Sequence, residues 1–184
     1  CTLEPANPWN VIAITFTNKA AGELKERLTA MLGEGAEDIW AMTFHAACCR
    51  ILRKYIDRMG YTSSFTIYDT SDSERLMKEI LKDLGLDDKT FPPRYVLSII
   101  GRQKDRLISP EQMLEDSRGA SDLRIVQIAK VYGIYQKRLK DNNALDFDDI
   151  LYVTVKLLQQ DEEVREFYQR KFHYVLVDEY QDTN

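Results

Sequence analysis

The sequence predicts an α/β protein in which a parallel sheet is interrupted by a long all-helical insertion. Three observations carry that expectation. Apolar runs at Val11-Ile12-Ala13-Ile14, Trp40-Ala41-Met42-Thr43-Phe44 and Tyr174-Val175-Leu176-Val177 read as strands, the last buried on both faces as in a parallel sheet. The first two hand over directly to helical patterns, the order expected of α/β units. Between residues 71 and 140 apolar residues recur at helical spacing, with no strand pattern among them.

Pro5, Asn7 and Pro8 make residues 1–10 a loop ahead of the first strand. Thr15-Phe16-Thr17-Asn18 then turns the chain, with Asn18 as the expected N-cap. Ala20/Ala21, Leu24, Leu28 and Met31/Leu32 form the helical stripe, and Gly33 stops it. Helix N-terminal amides at a sheet's carboxyl edge can hold a phosphate. Phe16 has two readings here: a ring offered to a nucleobase, or a core aromatic under the turn.

After the second strand, Cys48, Ile51/Leu52, Tyr55 and Met59 mark a helix that Gly60 ends. Phe65–Tyr68 alternates and could add an edge strand. Ser71-Asp72-Ser73-Glu74 reads as a capping box for a helix with Leu76, Met77, Ile80, Leu81 and Leu84 on its stripe. Phe91-Pro92-Pro93 interrupts. A helix from Tyr95 to Leu107 follows (Val96, Ile99, Ile100), then a short one from Ser109-Pro110-Glu111. A long one covers 121–140, with Leu123, Val126, Ala129/Lys130, Gly133/Ile134 and Lys137 near one side. Asn142-Asn143 breaks it. Asp146 is the expected N-cap of the next helix, and Asp149 complements its dipole. Residues 161–172 are helical and lead into the last strand.

The chain has 184 residues, 44% hydrophobic and 30% charged, enough for one domain with an insertion. No apolar run approaches the roughly 20 residues of a membrane span, and no membrane role is expected. Three cysteines, with Cys48 and Cys49 adjacent on a helix, form no disulfide framework and point to a reducing cytoplasm. Two histidines without a Cys/His cluster argue against zinc. The net charge is −5, but residues 94–140 carry ten Lys/Arg against five Asp/Glu, and residues 144–184 carry four against ten. A basic middle and an acidic end suit a polyanion on one surface and a metal on another, although a solvated helical face explains the basic stretch equally well.

The last strand runs straight into Asp178 and Glu179, at the sheet edge where α/β proteins bind ligands. An Asp there can hold Mg²⁺ through oxygen, and the Glu can orient or deprotonate a water attacking a phosphate. The segment resembles a Walker B motif, and the full string DEYQDTN is similar to that of superfamily 1A DNA helicases of the UvrD/PcrA/Rep family. TFTNKAAGELKERL resembles their motif Ia and TFHAACCRILRKY their motif Ib, with Ala46 standing where the family generally has Ser.

The resemblance covers essentially the whole chain. It implies a partial RecA-like domain (1A) holding the helical subdomain 1B, with 1–70 and 144–184 belonging to 1A and 71–143 to 1B. It further implies ATP and Mg²⁺ as cofactors, single-stranded DNA as partner and 3′-to-5′ translocation. By position, Thr15, Phe16, Asn18, Lys19, Thr43, Phe44 and His45 would contact DNA. Asp178 and Glu179 would be catalytic, with Asp178 the Mg²⁺ ligand, and Gln181 and Asp182 would couple ATP to movement. None of the eight glycines is followed by Lys, so a phosphate-cradling Gly-Lys-Ser/Thr loop is expected upstream of Cys1. The remainder of such a helicase, including a second RecA-like domain, is expected outside these residues. The chain alone is then expected to be inactive and to bind neither cofactor stably. A RecB-like helicase-nuclease subunit and a DNA-binding module without ATPase chemistry are the alternatives.

Overall fold

The computed structural model describes residues 6–119 and 122–178, which divide into two compact units, Cys1–Arg58 with Val155–Asn184, and Met59–Thr154. The first unit holds a parallel sheet of order β2-β1-β5, formed by β1 (Val11–Thr15), β2 (Trp40–Thr43) and β5 (Tyr174–Val177). Helix α1 (Asn18–Leu32) follows β1 and α2 (Phe44–Tyr55) follows β2, as the strand-to-helix pattern predicts. Helix α8 (Glu162–Lys171) precedes β5. Trp40, Tyr168 and Phe172 pack ring against ring at the strand starts, and Ile51, Leu52 and Ile56 are buried in the same unit.

The second unit is built from α3 (Thr70–Asp83), α4 (Pro93–Asp105), α5 (Pro110–Asp116) and α6 (Leu123–Asp141), around Met77, Leu81, Val96, Ile100, Tyr132 and Leu139. Its chain ends meet at β3 (Thr66–Ile67) and β4 (Ala144–Leu145), a two-stranded parallel pair. Helix α7 (Phe147–Gln160) leads back toward the sheet unit.

Five expectations change. Tyr174–Val177 does pair in the parallel sheet, but at its edge, with Tyr174, Val175 and Leu176 at least half exposed rather than buried on both faces. Among the described residues only β1 pairs with it. The Phe65–Tyr68 strand joins β4 instead of the main sheet. Thr17, not Asn18, caps α1, because Thr17 has the extended backbone that lets its hydroxyl accept from the Ala20 amide. The capping box of α3 is Asp69 with Asp72, two residues ahead of the expected Ser71–Glu74. On α6 Ala129 is buried as expected, but the rest of the buried face is Ile128, Val131, Tyr132, Tyr135 and Leu139, while Leu123 is exposed. Two tyrosines with buried rings displace the stripe that aliphatic spacing suggested.

One buried charge cluster sits inside the helical unit. Lys104 on α4 is 1% exposed and reaches Asp146 at 2.7 Å and Asp149 at 2.9 Å. Asp146 and Asp149 cap α7 reciprocally, each accepting from the other's backbone amide. The Tyr135 hydroxyl donates to Asp146 and the Gln136 amide to Asp149. Burial pulls the Lys104 ammonium down, but the charges of Asp149 and Asp146 and their hydrogen bonds outweigh it and hold it above its usual range. Burial and the Asp146 charge push the Asp149 carboxyl up, against the Lys104 charge.

Candidate nucleotide and DNA interface

Register brings the ends of three strands to one level. Thr15 pairs with Thr43 across β1 and β2, Ile14 pairs with Val177, and the Asp178 amide donates to the Ile14 carbonyl at 2.9 Å. Thr15, Thr43 and Asp178 therefore stand together at the sheet's carboxyl edge, where α1 and α2 also start. Both helix N-termini direct free amides and the positive end of a dipole to that edge. A cavity of about 390 Å³ opens beside it, with Thr15, Ala20, Leu24, Arg27, Val177 and Asp178 in its wall.

The predicted residues divide by exposure. Phe16 is 39% exposed and tilts against Phe44 with centroids 5.3 Å apart, so it is a half-open ring on a fixed support. Asn18 and Lys19 are exposed on the first turn of α1, and Lys19 makes only a long 4.0 Å pair with Glu23. Phe44 and His45 are half-buried on the first turn of α2. Thr15 is buried and donates its hydroxyl to the Thr17 carbonyl at 3.2 Å. Thr43 is also buried, and its hydroxyl caps α2 by accepting from the Ala46 amide. The two threonines thus shape the edge from within, and the surface belongs to Phe16, Asn18, Lys19 and Asp178. Thr43→Ala is expected to lower stability by about 1 kcal/mol through loss of the cap. Urea unfolding checks this, and an unchanged midpoint would remove the cap from the account.

Asp178 is exposed at this edge. Glu179, Gln181 and Asp182 lie outside the described residues. Sequence reading missed Arg27, three turns along the α1 stripe, which lines the same cavity as Asp178. Its signal was a lone cation at the spacing of the apolar stripe, seven residues after Ala20 and three after Leu24.

Residues 2–184 match the UvrD/REP helicase N-terminal domain. The chain belongs to that family. It is 51% identical over 177 residues to the ATP-dependent DNA helicase PcrA of Bacillus subtilis (strain 168), covering 96% of this chain and 24% of that protein. It is 46% identical over 178 residues to PcrA of Staphylococcus aureus (strain Mu50) and 45% identical over 178 residues to PcrA of Staphylococcus epidermidis, in each case 97% of this chain and 24% of the relative. This UvrD/REP domain thus spans about a quarter of the curated relatives it matches. No helix among its described residues is long and apolar enough to cross a membrane.

Proposed function

We propose that this chain is the part of an ATP-dependent DNA helicase that grips single-stranded DNA and supplies the Walker B side of the ATP site. The observation that carries the reading is the convergence of Phe16, Lys19 and Asp178 on one sheet edge, in a chain of this family. That the relatives are ATP-dependent DNA helicases supports the helicase over the helicase-nuclease alternative.

Asp178 suits Mg²⁺ by its chemistry: a single exposed carboxylate leaves room for the waters and phosphate oxygens that this ion prefers to an all-protein cage. Mg²⁺, bound with ATP, supplies neutralisation of the charge that develops on the phosphates. In this proposal Asp178 would hold the ion, and Glu179 would orient the attacking water and take its proton. Gln181 and Asp182 pass the change at the phosphates to the DNA-facing turn. Phe16 offers its free face to a base, with Phe44 behind it, while Asn18, Lys19 and His45 meet the backbone. Movement is 3′-to-5′. The domain division at 1–70, 71–143 and 144–184 belongs to the same proposal, with the helical segment as 1B.

In the full-length protein Phe16→Ala is expected to weaken oligothymidine binding by about 1–3 kcal/mol, the usual worth of one stacked base. Fluorescence anisotropy at fixed salt measures it, with the unfolding midpoint recorded in parallel. Unchanged affinity, or loss of the fold instead of affinity, would return Phe16 to the role of a core ring.

A further inference from the structure

The opposite end of the sheet carries a second surface that the proposed chemistry does not use. Trp9-Asn10 leads into β1, Lys171-Phe172 leads into β5, and α2 ends there with Lys54 and Tyr55. Asn10 fixes these segments together: its side-chain amide donates to the Lys171 carbonyl at 2.6 Å and its carbonyl accepts from the His173 amide at 3.0 Å. Between them lies a groove of about 490 Å³ walled by Trp9, Tyr55, Val164 and Phe167. Trp9 and Phe167 remain 51% and 42% exposed.

Three cations crowd this end without an ion-paired carboxylate among the described residues. Arg50 lies over the Trp40 ring at 4.3 Å and Lys171 over the same ring at 5.0 Å. Lys54 lies over Tyr55 at 4.9 Å and over Phe167 at 4.5 Å. Burial, then the charges of Arg50 and Lys54, depress the Lys171 ammonium, with Asp38 opposing them; this is the mark of positive charge held close together. Aromatic faces fix the cations in place of carboxylates. Their charge is left for something else.

The groove wall also bears Glu163 and Glu166, but Arg58 pairs with the first at 2.9 Å and Arg170 with the second. Arg58 also pairs with Asp161 at 2.7 Å, so these two arginines offset three carboxylates and leave one negative charge against the three cations. The arrangement disfavours single-stranded nucleic acid. Bases need open ring faces, and the faces of Tyr55, Phe167 and Trp40 already carry cations. An apolar side chain needs only the ring edges and the cleft, and flanking carboxylates match the unpaired ammonium groups.

We propose that this groove docks an acidic segment of a partner protein, with an apolar anchor between Trp9, Tyr55 and Phe167 and carboxylates on Lys54 and Lys171. The site is remote from Asp178 along the strands, so its occupant leaves the carboxyl edge free.

The test uses the full-length protein and a fluorescein-labelled Asp-Glu-Leu-Phe-Glu-Asp peptide, read by anisotropy at low and moderate salt. Saturable binding is expected, weakened roughly tenfold by Lys54→Glu and by replacing the peptide's Leu-Phe with Ala-Ala, and abolished for a Lys-Lys-Leu-Phe-Lys-Lys peptide. Lys54→Gln, a milder change at an exposed position, is expected to weaken binding less, and the unfolding midpoint confirms that both variants fold. Oligothymidine binding is expected to be the same in wild type and both variants. No saturable peptide binding, or equal affinity in both Lys54 variants, overturns the proposal. Oligothymidine that displaces the peptide from wild type and loses affinity in Lys54→Glu would give the groove to nucleic acid and overturn it too.

Discussion

Lys104→Met is expected to destabilise the helical unit by about 3–5 kcal/mol at pH 8, the usual cost of breaking a buried ion pair by removing one partner. The methionine fills similar volume, so the loss is electrostatic: Asp146 and Asp149 would remain buried, facing each other with no counter-charge. The effect must depend on pH. In the folded chain the Asp149 carboxyl is held above its ordinary value, to about 6, by burial and by Asp146, so the folded state keeps that proton longer than the unfolded chain does. Stability from this group is therefore largest in acid and falls as pH rises through the window between the two values. Without the Lys104 ammonium, which opposes the shift, the folded value climbs and the window extends upward. The variant should then lose much less at pH 5 than at pH 8, because a neutral carboxyl needs no cation. Urea unfolding at both pH values measures the difference. An equal loss at the two would show that Lys104 contributes packing rather than charge.

The second large effect separates the two carboxylates of the acidic motif in the full-length protein. Glu179→Gln keeps size and shape but cannot accept a proton, so ATP hydrolysis is expected to fall by ~10²–10⁴-fold while nucleotide affinity persists. Asp178→Asn removes a charged oxygen from the Mg²⁺ shell, so nucleotide affinity should fall as well. Oligothymidine binding should survive in both, because Phe16 and Lys19 stand on β1 and α1 rather than on the motif. Single-turnover hydrolysis and nucleotide affinity, measured side by side, decide it. Hydrolysis at the parental rate in Glu179→Gln would end the assignment of Glu179 as base.

Much of this arrangement was legible in the sequence because periodicity is a local signal. β1–α1 and β2–α2 each show an apolar run, a polar turn and a 3.6-residue stripe without interruption, and all four elements form where expected. Caps were less legible. Thr17 and Asn18 are both capping residue types, and backbone geometry, not composition, selects Thr17. Lys104 was the hardest to foresee. It follows Val96 and Ile100 at four-residue steps on the buried face of α4, which marks it as a cation in the wrong place, but its partner Asp146 lies 42 residues away. At the carboxyl edge, the residue types were readable and their division was not. Thr15 and Thr43 look like surface contacts in a motif, yet their hydroxyls are spent on the turn and the cap beneath it.

The β3–β4 pair has a consequence for how the protein can be altered. The Thr66 amide donates to the Asn143 carbonyl at 3.0 Å and the Tyr68 amide to the Leu145 carbonyl at 2.8 Å, so the entry and exit of the helical segment are clasped side by side. Closing a longer loop costs only about 0.6 kcal/mol for each doubling of its length. The segment between the clasped ends can therefore lengthen or shorten at little entropic expense, provided the clasp, the Asp146 cap that follows it and a cation in the place of Lys104 are kept. Such a junction is a grafting point, where a helicase of this family could acquire a different helical lobe without rebuilding the sheet that carries its chemistry.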